Sequence, residues 1–99
     1  MEDGWYLLLP ESWLNQVTVR RESGPEEATV TFSFQDGTGT REFLKISAIT
    51  GSSREIKAMR GGRFILIRRA ETVYAAELLA ANDEWPNGMA ENELRAAFS

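Results

Sequence analysis

Apolar and polar residues alternate most regularly between positions 28 and 35. Successive side chains of an extended chain point to opposite sides, so this pattern predicts a strand with one buried face. Its apolar side is formed by Ala28, Val30, Phe32 and Phe34. Further apolar or alternating stretches predict five more strands, which are Gly4–Leu9, a strand around Val17 and Val19, Glu42–Thr50, Phe64–Arg68 and Thr72–Leu79.

The predicted strand Glu42–Thr50 has apolar residues on both of its sides. One alternating set is directed toward the expected core, whereas Phe43 and Ile49 fall on the opposite side. We therefore expect another element to cover part of that second side. Across the whole chain, the inward positions of the patterned segments predict a core that contains Trp13, Phe32, Phe34, Leu44, Ile46, Ile65 and Tyr74.

Helices and turns are predicted between these strands. Ser52–Glu55 has the Ser-x-x-Glu spacing of a capping box, which predicts a short helix that ends at about Met59. A second helix is predicted over Met89–Phe98, where apolar residues recur at helical spacing. The segment Asn82–Gly88 before it is predicted to be a polar loop, and Asp36–Gly39 is predicted to be a hairpin turn.

The fold class follows from the order of these elements. Short connections favour antiparallel pairing, so we predict a single α+β domain over residues 1–99. It would have a mostly antiparallel sheet of about six strands with one or two helices packed on it. The long connection Thr50–Arg63 could instead cross the sheet and create one parallel pair. The apolar content of 42% and the charged content of 26% are ordinary for a globular domain.

The sequence contains neither histidine nor cysteine. Disulfides, thiol catalysis, histidine-dependent hydrolases and the usual zinc sites are therefore excluded. We predict no catalytic residue, no cofactor and no metal site. Carboxylate chemistry is the enzymatic alternative, and Glu77 is its best candidate because it lies inside an otherwise apolar strand. The competing interpretation makes Glu77 a charge that protects an edge strand from aggregation.

The charges are unevenly distributed around a net charge of −4. Residues 54–69 contain six basic residues and one acid, whereas residues 71–99 contain six acids and one arginine. In one interpretation the acidic C-terminal region folds near the basic segment and offsets its field. The alternative is a basic patch that binds a polyanion such as a cell-surface polymer. Its contact residues would be Arg60, Arg63, Arg68 and Arg69. The negative net charge argues against nucleic acid as the main partner.

Trp85 is the single residue that we nominate for contact with a partner protein. It lies in a polar segment directly before Pro86, and tryptophan is enriched at binding hot spots because it offers a large apolar area with one polar group. In the alternative interpretation its ring closes one end of the core. Trp5 and Trp13 flank an apolar stretch and are predicted to belong to the core itself.

Two segments resemble a known group of domains. The start of the chain reads Trp5-Tyr6-Leu7-Leu8-Leu9-Pro10-Glu11-Ser12-Trp13, and a later segment reads Val73-Tyr74-Ala75-Ala76-Glu77-Leu78. With the two glycines before Phe64, they resemble small uncharacterised domains of Gram-positive bacterial lipoproteins and surface proteins. The strand–Pro–x–x–Trp start is more distantly similar to the Mog1/PsbP-like fold, an antiparallel sheet with helices. The resemblance implies a non-catalytic, extracytoplasmic domain and supplies no functional residues.

The sequence shows no signal peptide, no lipid-attachment cysteine and no apolar run long enough to span a bilayer. Together with the resemblance, the missing catalytic residues predict a binding or scaffolding domain whose partner is another protein or a cell-surface polymer. The alternatives are a polyanion-binding module that uses the segment Arg54–Arg69 and an enzyme that depends on carboxylates.

Overall fold

In the part of the chain that the structure describes, the sheet contains five strands, each formed by one of the patterned segments. The computed structural model describes Trp5, residues 7–35, Gly37 and residues 39–98. The strands are β1 (Val17–Ser23), β2 (Glu27–Gln35), β3 (Thr40–Ile49), β4 (Phe64–Arg69) and β5 (Thr72–Leu78). The helices are α1 (Arg54–Ala58), α2 (Ala80–Glu84) and α3 (Glu91–Ala97), and a 3₁₀ turn spans Glu11–Trp13. The α+β class and the antiparallel sheet are confirmed.

The strand order across the sheet is β1-β2-β3-β5-β4, and each neighbouring pair is antiparallel. The chain leaves β3, passes through α1 and forms β4 at the edge of the sheet. It then returns as β5, which lies between β3 and β4. Since β5 is antiparallel to both of these strands, β3 and β4 run in the same direction. In the described ladder the alternative of a parallel pair is therefore not realised. Because β5 is an internal strand, the interpretation of Glu77 as an edge-strand charge is wrong.

The predicted first strand, Gly4–Leu9, does not join the sheet within the described residues. Leu7 instead forms an isolated antiparallel bridge with Phe98, at the end of α3. An apolar run that pairs with the end of a helix has the same composition as one that pairs with a strand, so the pattern could not distinguish the two. Four residues of the predicted segments lie outside the described residues, namely Gly4, Tyr6, Asp36 and Thr38.

The helices differ from prediction at their ends. The predicted capping box pairs Ser52 with Glu55, but α1 begins at Arg54, so the residue before the helix is Ser53, whose side chain makes no capping hydrogen bond. α2 occupies the beginning of the predicted polar loop, and Asn82 within it is buried. Its side-chain amide donates to the carbonyl of Met89 and accepts from the N–H of Met89, both at 2.8 Å. Within the described chain, no helix combines the length and the apolar character needed to cross a membrane.

One face of the sheet carries the main core. Side chains of β2, β3 and β5 pack there against the 3₁₀ turn and against residues of α2 and α3, including the fully buried Leu94. Burying aromatic side chains removes much more apolar surface from water than burying alanines, so this cluster dominates stability. Six of the seven predicted core residues are buried in it, and these are Trp13, Phe32, Phe34, Leu44, Ile46 and Tyr74.

The opposite face has a smaller core under α1, which provides the cover that the sequence pattern required. Ala58 of α1 is fully buried against Ile49, Val73 and Ala75. Ile65 packs on this smaller cluster and is only half-buried, so the prediction that it belongs to the main core is wrong. Ile65 belongs to β4, which is an edge strand and therefore has a sheet neighbour on one side only.

Phe43, predicted to face the second side, lies in the main core. The register of β2 against β3 shifts so that Phe32 pairs with Leu44 whereas Ser33 pairs with Glu42. Phe43 is the extra residue of this β-bulge, and it is fully buried in the same cluster as Leu44. The bulge therefore adds an aromatic ring to the main core that strict alternation would have placed on the other face.

Candidate functional site

The edge strand β1 is the least covered strand of the sheet. Its seven residues are exposed or half-buried throughout, and in the described part of the chain it pairs with β2 alone. An edge strand of this kind offers unpaired backbone groups to another extended chain. This property makes β1 the first candidate for contact with a partner.

The outward backbone groups of β1 follow from its register. The N–H of Gly24 donates to the carbonyl of Glu27 at 2.7 Å, and the same register continues along the whole strand. Bonded and non-bonded pairs alternate in an antiparallel ladder. The residues that bond to β2 are thus Thr18, Arg20 and Glu22. The residues that direct N–H and C=O groups outward are Val17, Val19, Arg21 and Ser23.

An apolar groove lies beside this edge, on the main-core face of β1 and β2. It consists of two adjoining depressions of about 240 Å³ each. We call it the β1 groove. Its described lining includes Trp5, Leu7, Leu9, Val19, Arg21 and Val30. Val19 and Arg21 pair with Phe32 and Val30 of β2, so their side chains lie on the groove side of the sheet.

The far wall of the β1 groove is fixed to α3. The N–H of Leu8 donates to the carbonyl of Ala97 at 2.9 Å, and the ring of Trp5 stacks on Phe98 with ring centroids 5.4 Å apart. These contacts hold Trp5 and Leu8 beside α3. Among the described residues, the cover of the main core ends before the edge strand, which leaves the groove open there.

Exposed apolar side chains are concentrated around this groove. Among the large hydrophobic residues of the described chain, three of the six that are exposed lie in the groove or next to its lining in sequence. The exposed fractions are 78% for Leu8, 41% for Leu9 and 50% for Val19. Apolar surface gathered beside a concave site is characteristic of protein–protein or ligand contact.

A second depression, the polar cleft, opens between the region after α1 and the sheet. It is lined by Glu27, Lys57, Arg60, Gly61, Arg63 and Glu77. The Arg63 guanidinium donates to both carboxylate oxygens of Glu27, at 2.7 and 3.4 Å, and to the carbonyl of Lys57 at 3.2 Å. Two of the opposite charges in the cleft, those of Arg63 and Glu27, thus pair with each other.

The environment of Glu27 sets its protonation state. Partial burial raises the pKa of this carboxyl, but the hydrogen bonds and charge of Arg63, with the hydroxyls of Thr29 and Ser47, outweigh burial and hold the pKa below its ordinary value. Glu27 is therefore ionised and engaged at neutral pH. A carboxyl in this state is a poor general acid, because it holds no proton to donate.

The four nominated arginines do not form one patch. Arg60 and Arg63 line the polar cleft before the start of β4, whereas Arg68 and Arg69 lie at its end, about 20 Å away by the rise of an extended strand. Arg68 forms an ion pair of 2.8 Å with Glu55. The guanidinium of Arg69 lies 5.3 Å from the centre of the Tyr74 ring.

The basic segment meets different acids from those predicted. Lys57 pairs with Glu26 at 2.8 Å, and Arg63 pairs with Glu27. These glutamates belong to the β1–β2 connection and the start of β2, and Glu55 belongs to α1. The ion pairs of Lys57, Arg63 and Arg68 thus join the segment to residues other than those of the acidic C-terminal region.

Trp85 packs inward from the end of α2. Its ring lies parallel to that of Phe34, with centroids 4.4 Å apart and an interplanar angle of 6°, and it also contacts Phe43 and Trp13. The Nε1–H of Trp13 donates to the carbonyl of Asn87 at 2.7 Å, which fixes the segment after Trp85. This is the geometry expected of a lid on the core. The proposed contact with a partner stays a prediction.

A scan against protein-family models, a search of curated proteins and a search of solved structures each gave no match.

The residues of the β1 groove were not identified from the sequence as a site. Val17 and Val19 alternate with polar residues, which predicts a covered face, and Leu7–Leu9 has the composition of a buried strand. Alternation marks an apolar face without showing whether another element covers it, so no signal in the sequence distinguished this open face from a buried one.

Proposed function

We propose that this chain is a non-catalytic binding domain that docks an extended segment of another protein at the β1 groove. The observation that carries the proposal is the juxtaposition of an apolar groove, three exposed apolar side chains and a strand edge that is open within the described chain. Recognition by strand addition combines these features, because the backbone edge supplies hydrogen bonds and the groove supplies side-chain selectivity.

The chemistry of the charged residues supports binding over catalysis. The chain has no histidine or cysteine, and its described residues contain no group of three or more acidic residues close enough to hold a metal ion. The carboxylate of Glu27 is ionised and paired with Arg63. The resemblance of the chain to domains of lipoproteins and surface proteins supports an extracytoplasmic setting for this binding role.

The polyanion alternative has less support. Lys57, Arg63 and Arg68 each pair with a carboxylate, and the nominated arginines lie at opposite ends of β4. A polyanion would have to displace these acids before it gained the full charge of the segment.

A peptide-display library of random extended peptides, selected on the immobilised protein, tests the proposal. Enriched peptides should bind the wild-type chain and lose at least about tenfold in affinity with Val19→Asp, because an ionised group would face the apolar groove. Ile56→Asp is the matched control, since Ile56 is a similarly exposed aliphatic residue (66%) on α1, away from the groove.

Circular dichroism and thermal melting would first establish that both variants are folded. Peptides that bind Val19→Asp as well as wild type, or a selection that enriches nothing over a blank surface, would refute the docking site. Binding lost equally in both variants would refute it as well, because it would show a general effect of added charge.

A further inference from the structure

We infer that, before another protein docks, the β1 groove is occupied by a second copy of the chain, whose β1 pairs antiparallel with β1 in the register centred on Val19. This inference rests on the proposed function and describes the regulation of the same site, because a docking segment would have to displace the second copy. It is carried by three properties of the described residues: the phase of the outward backbone groups, the order of the side chains around Val19, and the apolar walls of the groove.

The backbone of β1 is suited to pairing with itself in this register. The ladder to β2 leaves the N–H and C=O groups of Val17, Val19 and Arg21 directed outward. A two-fold axis at Val19 joins Val19 to its own counterpart and Val17 to Arg21, so every joined residue belongs to the outward set. The stretch from Val17 to Arg21 contains no proline and no residue of positive φ. It could therefore form about six main-chain hydrogen bonds, two at each bonded pair.

The side chains of this stretch complement themselves. On the groove side, Val19 faces its counterpart and Arg21 faces Val17, whereas on the other side of the sheet Thr18 faces Arg20. Like charges are thus not directly opposed, and the central apolar pair stabilises the ladder. Because Arg21 faces a valine, it keeps the interaction that it has within its own chain.

The neighbouring registers are less favourable. A two-fold axis at Arg20 or at Arg21 would place that arginine opposite its counterpart, and an axis at Glu22 would oppose two carboxylates. Like charges at facing positions are destabilising. An axis at Thr18, or nearer to either end of β1, would shorten the paired stretch. The register centred on Val19 therefore combines a long ladder with the absence of opposed like charges.

The charges near the axis are paired or distant in this register. The two Arg20 side chains become diagonal neighbours, but each donates to Glu42 of its own copy at 2.9 Å. The two Glu22 side chains, which border the groove, would lie about 20 Å apart by the rise of an extended chain. The charges of β1 thus protect the edge in most registers and leave this one open.

The apolar walls of the groove favour the same arrangement. Facing residues of an antiparallel pair lie on one side of the sheet, so the grooves of the two copies would adjoin. The exposed Val19 would be covered by its counterpart, with the segments that carry Leu8 and Leu9 on the same side of the paired strands. A strand pair about 17 Å long buries less than the roughly 800 Å² per partner of a standard interface, so the dimer should be weak and reversible. A displaceable occupant requires this property.

Cysteine crosslinking tests the register, because the chain has no cysteine of its own. At a bonded antiparallel pair the two Cα atoms lie about 5.5 Å apart, a distance that a disulfide can bridge. Under mild oxidation Val19→Cys should form a covalent dimer at least about tenfold faster than Ile56→Cys, a control at an exposed position on α1. Val17→Cys and Arg21→Cys should each crosslink slowly alone and rapidly when the two proteins are mixed.

Sedimentation velocity measures the dimer without a crosslink. The mass of the wild-type protein should rise from monomer toward dimer between micromolar and millimolar concentration. Val19→Pro removes an outward N–H and retains the ladder to β2, so it should fold and raise the dissociation constant of the dimer at least about tenfold. Val19→Ala, the matched control, retains the N–H and should keep most of the self-affinity.

The crosslinked protein tests the regulation of the docking site. Library peptides that bind reduced Val19→Cys should bind its purified disulfide dimer at least about tenfold more weakly, because the strand edge is then occupied. Reduction of the disulfide should restore their binding.

Each other result overturns a defined part. If Val19→Cys crosslinks no faster than Ile56→Cys, or if the wild-type chain stays monomeric throughout, the second copy is refuted, whereas the proposed function stands as long as library peptides bind. Rapid crosslinking of Val17→Cys alone would refute the register. A disulfide dimer that binds the peptides as tightly as the reduced protein would refute the regulation. The expected crosslinking pattern, together with a library that enriches nothing, would refute the proposed function and leave β1 as a site of self-association.

Discussion

The aromatic rings at the closed end of the core make Trp85 a residue with a measurable structural role. Its ring stacks on Phe34 and contacts Phe43 and Trp13. Trp85→Ala should lower the free energy of unfolding by about 3 kcal/mol, because it removes a large aromatic side chain from a packed cluster. Urea denaturation followed by circular dichroism measures this loss. Trp85→Phe should keep most of the stability, and a loss below about 1 kcal/mol in Trp85→Ala would show that the ring does not support the core.

Glu27 gives the stability of the protein a dependence on pH. Its pKa is lower in the folded than in the unfolded chain, so the ionised carboxylate stabilises the fold above its unfolded pKa of about 4.3. This contribution is lost as the pH falls through the lower, folded value. Glu27→Gln should therefore cost about 1 kcal/mol at pH 7, and the difference from wild type should close under acid conditions.

Chemical denaturation of both proteins between pH 7 and pH 2.5 would check this behaviour. Glu26→Gln is the matched control, because Glu26 belongs to an exposed ion pair in which each side chain keeps much of its contact with water. A constant difference between wild type and Glu27→Gln over this range would contradict the proposed role of the Arg63 ion pair.

Single residues also show what the sequence pattern can and cannot predict. Phe32 and Phe34 were placed correctly because unbroken alternation fixes the side of a strand on which each residue lies. Phe43 was placed on the wrong side because a bulge shifts the phase by one residue, and a bulge depends on how two strands fit together. Ile65 was predicted to be more buried than it is, because its strand lies at the edge of the sheet.

At the scale of elements, the strands were predicted more accurately than the surfaces that cover them. All five strands coincide with patterned segments, since period-two alternation is a local property. The exposure of β1 is different, because alternation marks an apolar face without showing whether another element reaches it. The β1 groove could not be predicted for that reason, although each of its residues was visible in the sequence.

The contact between α1 and the sheet provides a test at this scale. Ala58 is fully buried against Ile49, Val73 and Ala75, which leaves little space for a larger side chain. Ala58→Leu should destabilise the protein by about 1–3 kcal/mol through overpacking. Ile56→Ala, on the exposed side of the same helix, should change the free energy of unfolding by less than about 0.5 kcal/mol. Similar losses in the two variants would mean that α1 does not pack as described.

For the whole molecule, the distribution of charge predicts weak binding to polyanions. Lys57, Arg63 and Arg68 are paired with acids, and the net charge is −4. The wild-type chain should elute from a heparin column at or below physiological salt. The double variant Glu26→Gln/Glu27→Gln leaves Lys57 and Arg63 without their acids and should elute later.

The salt dependence of heparin binding provides the check. Tight wild-type binding that weakens steeply with added salt would contradict this prediction and favour the polyanion alternative. If the double variant eluted with the wild type, the acids of the β1–β2 connection would not mask the basic segment. In that case the electrostatic field of the whole molecule, and not the ion pairs of Lys57 and Arg63, would set the affinity for heparin.

The insertion of β5 between β3 and β4 has a consequence for the order of folding. The pairs β1–β2, β2–β3 and β4–β5 join strands that follow one another in sequence, whereas the β3–β5 ladder connects Ile49 with Val73 and Leu44 with Leu78. Closing that ladder requires a longer loop and carries a larger entropic cost, so it should form last. In stopped-flow experiments Ala76→Gly, in β5, should mainly accelerate unfolding, whereas Phe32→Leu, in β2, should mainly slow folding. Equal effects of Ala76→Gly on both rates would show that β5 is already docked at the transition state.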